Sequence, residues 1–164
     1  MKKLWVSAIV VLAAVSLVGC IHAPPGTDGP FHVDGSGTLE IGFSGTLTGT
    51  VAGTFFDTGS IDGSYEFGPG HTEACPSDAA TVTASVTLTA ANGDTLNQSW
   101  SGSLCGPGRV NTLHATLTYT NEGGTGRFSQ ATGTGTAIVD TDSNPSPSVF
   151  TLTMDGTMCC FGKR

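Results

Sequence analysis

Five cysteines are the residues of this sequence whose type and position most clearly imply chemistry. Cys20 ends an apolar N-terminal run, whereas Cys75, Cys105 and the adjacent Cys159 and Cys160 lie in the remainder. Four cysteines in an oxidising compartment allow three pairings. We expect a Cys75–Cys105 disulfide, which ties the loop before one predicted strand to the end of its hairpin partner and contributes about 3 kcal/mol by loop closure. Cys159 and Cys160 have three alternatives: a strained vicinal disulfide between them, a disulfide to a second chain, or disulfide exchange with Cys105.

The segment from Asp140 to Asn144 begins like a calcium-binding loop. Its continuation fails, because Pro145 stands where the loop needs Gly and Thr151 where it needs a bidentate Glu. The sequence therefore predicts a solvated turn here, with a loose calcium site as the weaker alternative, and no metal centre.

Three carboxylates, Asp57, Asp62 and Glu66, could line one barrel mouth beside Tyr65 and form an acid–base site. Carboxylates on solvated turns are the commoner case, and no Ser/His/Asp or Cys/His arrangement has a supporting local signature. His32 is more simply interpreted as incidental than as a metal ligand. We therefore assign no catalytic residues and no cofactor, and a non-enzymatic role is favoured while catalysis stays open.

The composition excludes several classes of protein. The 164 residues carry 6 Lys+Arg against 13 Asp+Glu, whereas a general nucleic-acid binder presents a basic patch. Removing Lys2 and Lys3 with the N-terminal segment leaves 4 basic and 13 acidic residues, a net charge of −9. The 24 glycines and abundant threonines argue against a helical bundle, because both are poor helix formers and Thr favours strands.

The N-terminus has the pattern of an export signal, in which Lys2 and Lys3 precede an apolar run from Leu4 to Val18 that is too short to span a membrane as a helix. The run ends in Leu17-Val18-Gly19-Cys20, which resembles the lipobox of bacterial lipoproteins. That resemblance implies cleavage before Cys20, a diacylglyceryl group on its sulfur and acylation, for example with palmitate, of the new amino group. Two or more acyl chains give essentially permanent anchoring. The alternative is an ordinary secretory signal cleaved near Ala23.

The expected domain organisation follows from this assignment. Residues 1–19 form the signal peptide, 20–35 a flexible Pro/Gly-rich tether and 36–160 the folded domain. The implied location is the bacterial cell envelope, with the domain outside the cytoplasm and the membrane contacted through the lipid.

From about Ser36 onward the apolar residues recur with a period of two, which predicts strands. The clearest strand, residues 81–90, has one apolar and one hydroxylated face and is followed by Asn92-Gly93, a strong hairpin signal. Its return strand carries Leu96, Trp100 and Leu104. The other predicted strands cover residues 37–43 (with Leu39, Ile41 and Phe43 on one side), 47–57, 61–67, 110–120, 134–141 and 149–158.

Eight short strands joined by short turns predict an all-β fold, a small antiparallel up-and-down barrel, with a β-sandwich as the alternative. Glycines that recur on the inward parity, such as Gly49 and Gly53, favour the closed barrel, since its strands must bend and coil.

One segment in the second half resembles a known family. It reads Gly-Gly-Thr-Gly-Arg-Phe-Ser-Gln-Ala-Thr-Gly over residues 123–133 and resembles a segment of plant dirigent proteins and of the wider allene-oxide-cyclase-like group. The resemblance implies an eight-stranded antiparallel barrel, but the dirigent catalytic acids have no matching positions here. We expect the glycines to turn the chain, the phenylalanine to plug a barrel end and the arginine to pair with a carboxylate. The matching residues are Gly123, Gly124, Thr125, Gly126, Arg127, Phe128, Ala131 and Gly133.

Three functions follow as hypotheses. The first is a non-catalytic, lipid-anchored envelope protein whose barrel binds a small apolar ligand or a surface partner. The second is a structural or adhesive surface protein, which would show a long exposed strand edge. The third is a cyclase- or dirigent-type enzyme, which needs a deep pocket with an inward carboxylate or arginine.

Overall fold

The computed structural model describes residues 29–40, 42–70, 79–109, 112–142 and 147–159. Eight strands account for most of them, and a single 3₁₀ turn, Gly126–Phe128, interrupts the link between the sixth and the seventh strand. The strands are β1 Gly29–Leu39, β2 Ser44–Gly53, β3 Phe56–Pro69, β4 Ala79–Ala90, β5 Thr95–Arg109, β6 Thr112–Gly124, β7 Thr132–Asp142 and β8 Ser148–Met158.

The strands form one closed antiparallel barrel. Each strand pairs with the next along the chain, and β1 closes the cylinder by pairing with β8 from Gly29↔Met158 to Leu39↔Ser148. The predicted eight-stranded up-and-down barrel is confirmed, and the sandwich alternative is wrong. No strand of the barrel is an edge strand, because every strand has a neighbour on both sides.

The alternation of the sequence places the side chains as expected in most strands. In β4, Val82, Val86, Leu88 and Ala90 are buried, whereas the threonines and serines between them are more exposed. Inward glycines pair directly across strands, as Gly37 does with Gly49 and Gly135 does with Gly156. A Cβ at these positions would collide with the facing backbone, so glycine lets the strands curve tightly around the core.

The predicted start of the domain needs correction. β1 begins at Gly29, so residues 29–35 of the predicted tether belong to the barrel and pair with β8. Phe31 and Val33 are buried and continue the alternation, but Gly35 and Gly37 occupy the next inward positions and weaken the apolar pattern.

The strands around the first two turns also differ from the prediction. β1 ends at Leu39, so Phe43 is 92% exposed rather than inward, and Ile41 lies outside the described residues. β2 ends at Gly53 after a register irregularity, and Phe55 follows in the turn with φ +143°.

Candidate functional site

The two ends of the barrel differ, and we call them the closed end and the open end. The closed end carries the β2–β3, β4–β5 and β6–β7 connections and the described chain ends, Gly29 and Cys159. The open end carries the opposite strand ends, from Leu39 and Ser44 to Asp142 and Ser148. Because β1 has 11 residues, Gly29 lies about 33 Å along the strand from the open end.

A plug of aromatic rings fills the closed end. Phe128, in the 3₁₀ turn, is fully buried and stacks on Phe56 with ring centroids 5.0 Å apart. Phe31 packs against Phe55, Phe56 and Tyr119. These rings fill the lumen at this end with side chains, in the manner of a small barrel.

The 123–133 segment builds this plug. Its glycines 123, 126 and 133 all adopt positive φ, as tight turns require. The Arg127 guanidinium donates to the main-chain oxygen of Phe55, and the Arg127 backbone N–H, rather than its side chain, reaches the carboxylate of Asp94. The expected plugging role of Phe128 is therefore observed, whereas the expected side-chain pairing of Arg127 with a carboxylate is replaced by a carbonyl contact.

A buried polar chain lies along the inner face of the neighbouring strands β5 and β6. Trp100 Nε1 donates to Gln98 Oε1 at 2.9 Å, and Gln98 Nε2 donates to Asn121 Oδ1 at 2.7 Å. The nearby Tyr119 is fully buried, and that burial raises its pKa to about 12. All four groups are thus neutral near pH 7, and the described interior contains no buried carboxylate.

At the open end the lumen contains an apolar cavity, lined in part by Trp100, which we call the mouth. Its volume is about 60 Å³, whereas a pocket for a drug-sized ligand has roughly 300–1,000 Å³. Burial raises the pKa of Tyr65 in its wall, so the wall is uncharged near pH 7. The mouth therefore has room for about two water volumes, which suits the tip of one aliphatic side chain. Its lining includes Leu39, Leu47, Phe67, Val82, Leu104 and Leu117.

Phe43 stands on the rim of the mouth. Its side chain is 92% exposed, while its main-chain oxygen accepts a hydrogen bond from the N–H of Phe67, a lining residue, at 2.8 Å. Glu40, which follows β1, and Glu66, which pairs in register with Ser44 and lies on the outer face of β3, are both exposed at this end. One basic residue, Arg109, belongs to the described strands at this end, where it ends β5.

Two histidines form cross-strand pairs with aspartates on the outer wall. His32 contacts Asp155 at 2.7 Å through Nδ1 and Asp34 at 3.1 Å through Nε2. The hydrogen bond with Asp155, followed by that with Asp34, raises the pKa of His32. The sequence interpretation missed this cluster, although the His-x-Asp spacing in a strand already places His32 and Asp34 on one face.

The second pair, together with a neighbouring threonine, has the hydrogen-bonded sequence of groups found in a nucleophilic triad: a carboxylate, an imidazole and a hydroxyl. His114 Nδ1 lies 2.6 Å from Asp140, and His114 Nε2 lies 3.4 Å from the hydroxyl of Thr116. These groups are exposed on a wall whose strands pair on both sides, so the ladder occupies the backbone N–H groups that an oxyanion hole would need. We interpret both clusters as cross-strand pairs. No group of three or more His, Cys, Asp or Glu residues suited to a metal ion occurs within the described ranges.

The structure does not bring the predicted acid–base residues together. Asp57, Asp62 and Glu66 are exposed on the outer face of β3, whereas Tyr65 is buried on the inner face. The alternation of the strand separates them, because Asp62 and Glu66 have the opposite parity to Tyr65. Asp140, proposed as the start of a calcium loop, lies in β7 and bonds to His114.

The predicted lipidation and disulfide residues lie mostly outside the described part of the chain. Cys20 and Cys75 are both beyond it. Cys105 lies near the open end and Cys159 at the closed end, and neither is a free thiol. The Cys75–Cys105 pairing stays a prediction.

Comparison with family models, curated proteins and solved structures gives no match for this chain. Within the described ranges, no helix has the length and apolar character needed to cross a membrane.

Proposed function

We propose that this chain is a lipid-anchored protein of the bacterial cell envelope that binds a surface partner at the open end of its barrel and performs no catalysis. The observation that carries the proposal is the position of Gly29, the first described residue, at the closed end. A lipid on Cys20 would tether that end through the eight residues 21–28. The mouth and Phe43 would then face away from the membrane.

The size and lining of the mouth favour a partner over a small ligand. About 60 Å³ is several-fold less than a ligand pocket, and packed aromatic rings fill the closed end. A cyclase- or dirigent-type site needs an inward carboxylate or arginine, and the described walls of the mouth offer apolar groups, Tyr65, Trp100 and Thr141. The interior thus supports binding rather than chemistry, and the eight-stranded barrel supports the dirigent-like resemblance at the level of the fold.

The barrel offers little support for a structural protein that assembles through strand edges. Every strand of the closed barrel has two neighbours, and an exposed edge is what such assembly requires.

Lipidation of Cys20 tests the proposed anchor. The full-length chain is expressed in a bacterial host fed an alkynyl fatty acid, beside a Cys20→Ser variant. We expect the wild type to incorporate label and to partition into the detergent phase of Triton X-114, because two or more acyl chains dominate membrane affinity. The Cys20→Ser variant should lose both properties.

The anchor would be contradicted by a wild-type chain that takes up no label and whose measured mass shows that the mature protein begins near residue 23. That result would favour an ordinary secretory signal. Cys160→Ser is a matched control, since it removes a cysteine outside the lipobox-like segment and should leave labelling unchanged.

A further inference from the structure

We propose that the open end of the barrel binds a basic polypeptide segment, which inserts the tip of one aliphatic side chain into the mouth and packs against Phe43. This inference rests on the proposed function and names the chemistry of the partner. It starts from two apolar features that lie side by side, the exposed Phe43 and the uncharged mouth, joined by the hydrogen bond between the main chains of Phe43 and Phe67.

Exposure of one large aromatic ring beside an apolar cavity is typical of a binding anchor. Three large hydrophobic residues are exposed in the described part of the chain, and Phe43 is the most exposed of them. The other two, Ile138 and Val149, are 37% and 45% exposed. Its backbone is held to β3 through Phe67, so little backbone entropy would be lost when a partner packs against the ring.

Charge defines the partner further. Glu40, three residues before Phe43, and Glu66, opposite the next residue Ser44, place two exposed carboxylates at the open end against one basic strand residue, Arg109. The whole chain carries a formal net charge of −7. Lysine or arginine beside the inserted side chain would complement these carboxylates. Complementary charge also raises association rates, and salt screens it.

The same charge argues against two other occupants. A second copy would bring its own Glu40 and Glu66 against the first pair, and like charges across an interface are unfavourable. An anionic lipid surface would be repelled for the same reason. The volume of about 60 Å³ argues against a free small ligand.

Synthetic peptides test the inference directly. Fluorescein-labelled KKGLGKK is titrated with the full-length protein in dodecyl maltoside, and binding is followed by anisotropy beside KKGSGKK and EEGLGEE. We expect KKGLGKK to bind most tightly, with an affinity that falls as salt rises. Phe43→Ser should weaken it about tenfold or more, as loss of an aromatic anchor does.

Two further variants separate the parts of the site. Ala84→Leu adds three carbons to the lining of the mouth and should weaken KKGLGKK to the level of KKGSGKK. The double variant Glu40→Gln/Glu66→Gln should weaken binding and flatten its salt dependence. Matched controls are Ile138→Ser, an exposed apolar residue on the outer wall, and Asp57→Asn, an exposed carboxylate at the closed end. Both should bind as wild type does.

Three results would overturn the inference. The first is equal binding of KKGLGKK, KKGSGKK and EEGLGEE. The second is binding unchanged by Phe43→Ser, which replaces an exposed side chain and should still fold. The third is binding of a different occupant at the open end. A second copy would give Phe43-dependent self-association in sedimentation, and a lipid surface would give Phe43-dependent binding of the Cys20→Ser variant to phosphatidylglycerol vesicles.

The proposed anchor and the proposed binding site can be refuted independently of each other. Peptide binding is also measured with Cys20→Ser, which lacks the proposed lipid attachment and should bind KKGLGKK as wild type does. A wild-type chain that takes up no fatty-acid label but binds KKGLGKK would refute only the anchor. Intact labelling without peptide binding would refute only this inference.

Discussion

At the scale of single residues, the fit of Tyr119 shows how closely the barrel wall is matched to its core. The Tyr119 hydroxyl lies against the Cα side of Gly135 and Gly156, which face each other across β7 and β8. An added Cβ at Gly156 would collide with this hydroxyl and with the carbonyl of Thr134. The two glycines therefore make room for a buried aromatic ring.

Gly156→Ala should accordingly destabilise the protein by about 1–3 kcal/mol, the usual range for overpacking. Urea unfolding followed by circular dichroism measures the change. Adding Tyr119→Phe removes the hydroxyl and should recover part of the loss, which a double-mutant cycle reports as coupling. Gly29→Ala, whose Cβ would meet only Phe55 at 4.0 Å, is the control and should unfold like wild type. Equal destabilisation by the two alanine variants would contradict the packing argument.

At the scale of elements, the pairing of β1 with β8 is the step that closes the barrel. It joins residues more than a hundred positions apart, so its loop-closure entropy is the largest of any strand pair. His32 bridges the two strands, with its ring between Asp155 of β8 and Asp34 of β1, and Thr153 donates to the other oxygen of Asp34. The charged imidazolium therefore favours the closed seam.

This seam should be more stable at low pH than at high pH. The folded-state pKa of His32 is raised above 6.5 by its bonds to Asp155 and then Asp34. Its contribution is thus fully present below pH 6.5 and is lost as pH rises through the raised value. Between pH 6 and 8 the Tm of wild type should fall relative to that of His32→Gln, by at most a few degrees because the pair is exposed. Parallel Tm curves for the two proteins, measured by differential scanning fluorimetry, would refute the bridge.

The sequence predicted the strands better than their boundaries. Alternation in residues 81–90 and 110–120 was strong enough to assign inward residues correctly. The start of β1 was missed because inward glycines at 35 and 37 carry no apolar signal. The end of β1 was missed because Phe43 has the inward parity although the strand stops at Leu39.

The candidate site was harder to predict than the fold, for a physical reason. The mouth is made by side chains from most of the eight strands, and the Gln98–Asn121 and His32–Asp155 bonds join residues 23 and 123 positions apart. Such contacts depend on the register of strand pairs, which one strand's pattern does not contain.

At the scale of the whole molecule, the barrel is polarised along its axis. A plug of aromatic rings and the described chain ends occupy the closed end, and the mouth with Phe43 occupies the open end. Between them a buried polar chain lies along β5 and β6. The proposed anchor at one end and the apolar surface at the other would suit a protein that presents its free end to a partner. The proposed function follows from this polarity.

Site-specific photo-crosslinking tests this central proposal most directly. Benzoylphenylalanine replaces Phe43 in the full-length chain, in the cells that make it, and replaces Asp57 or Ile138 as controls. We expect ultraviolet light to give a protease-sensitive protein adduct from position 43 and not from position 57 or 138. Equal adducts from all three positions, or no protein adduct from position 43, would contradict a partner at the open end.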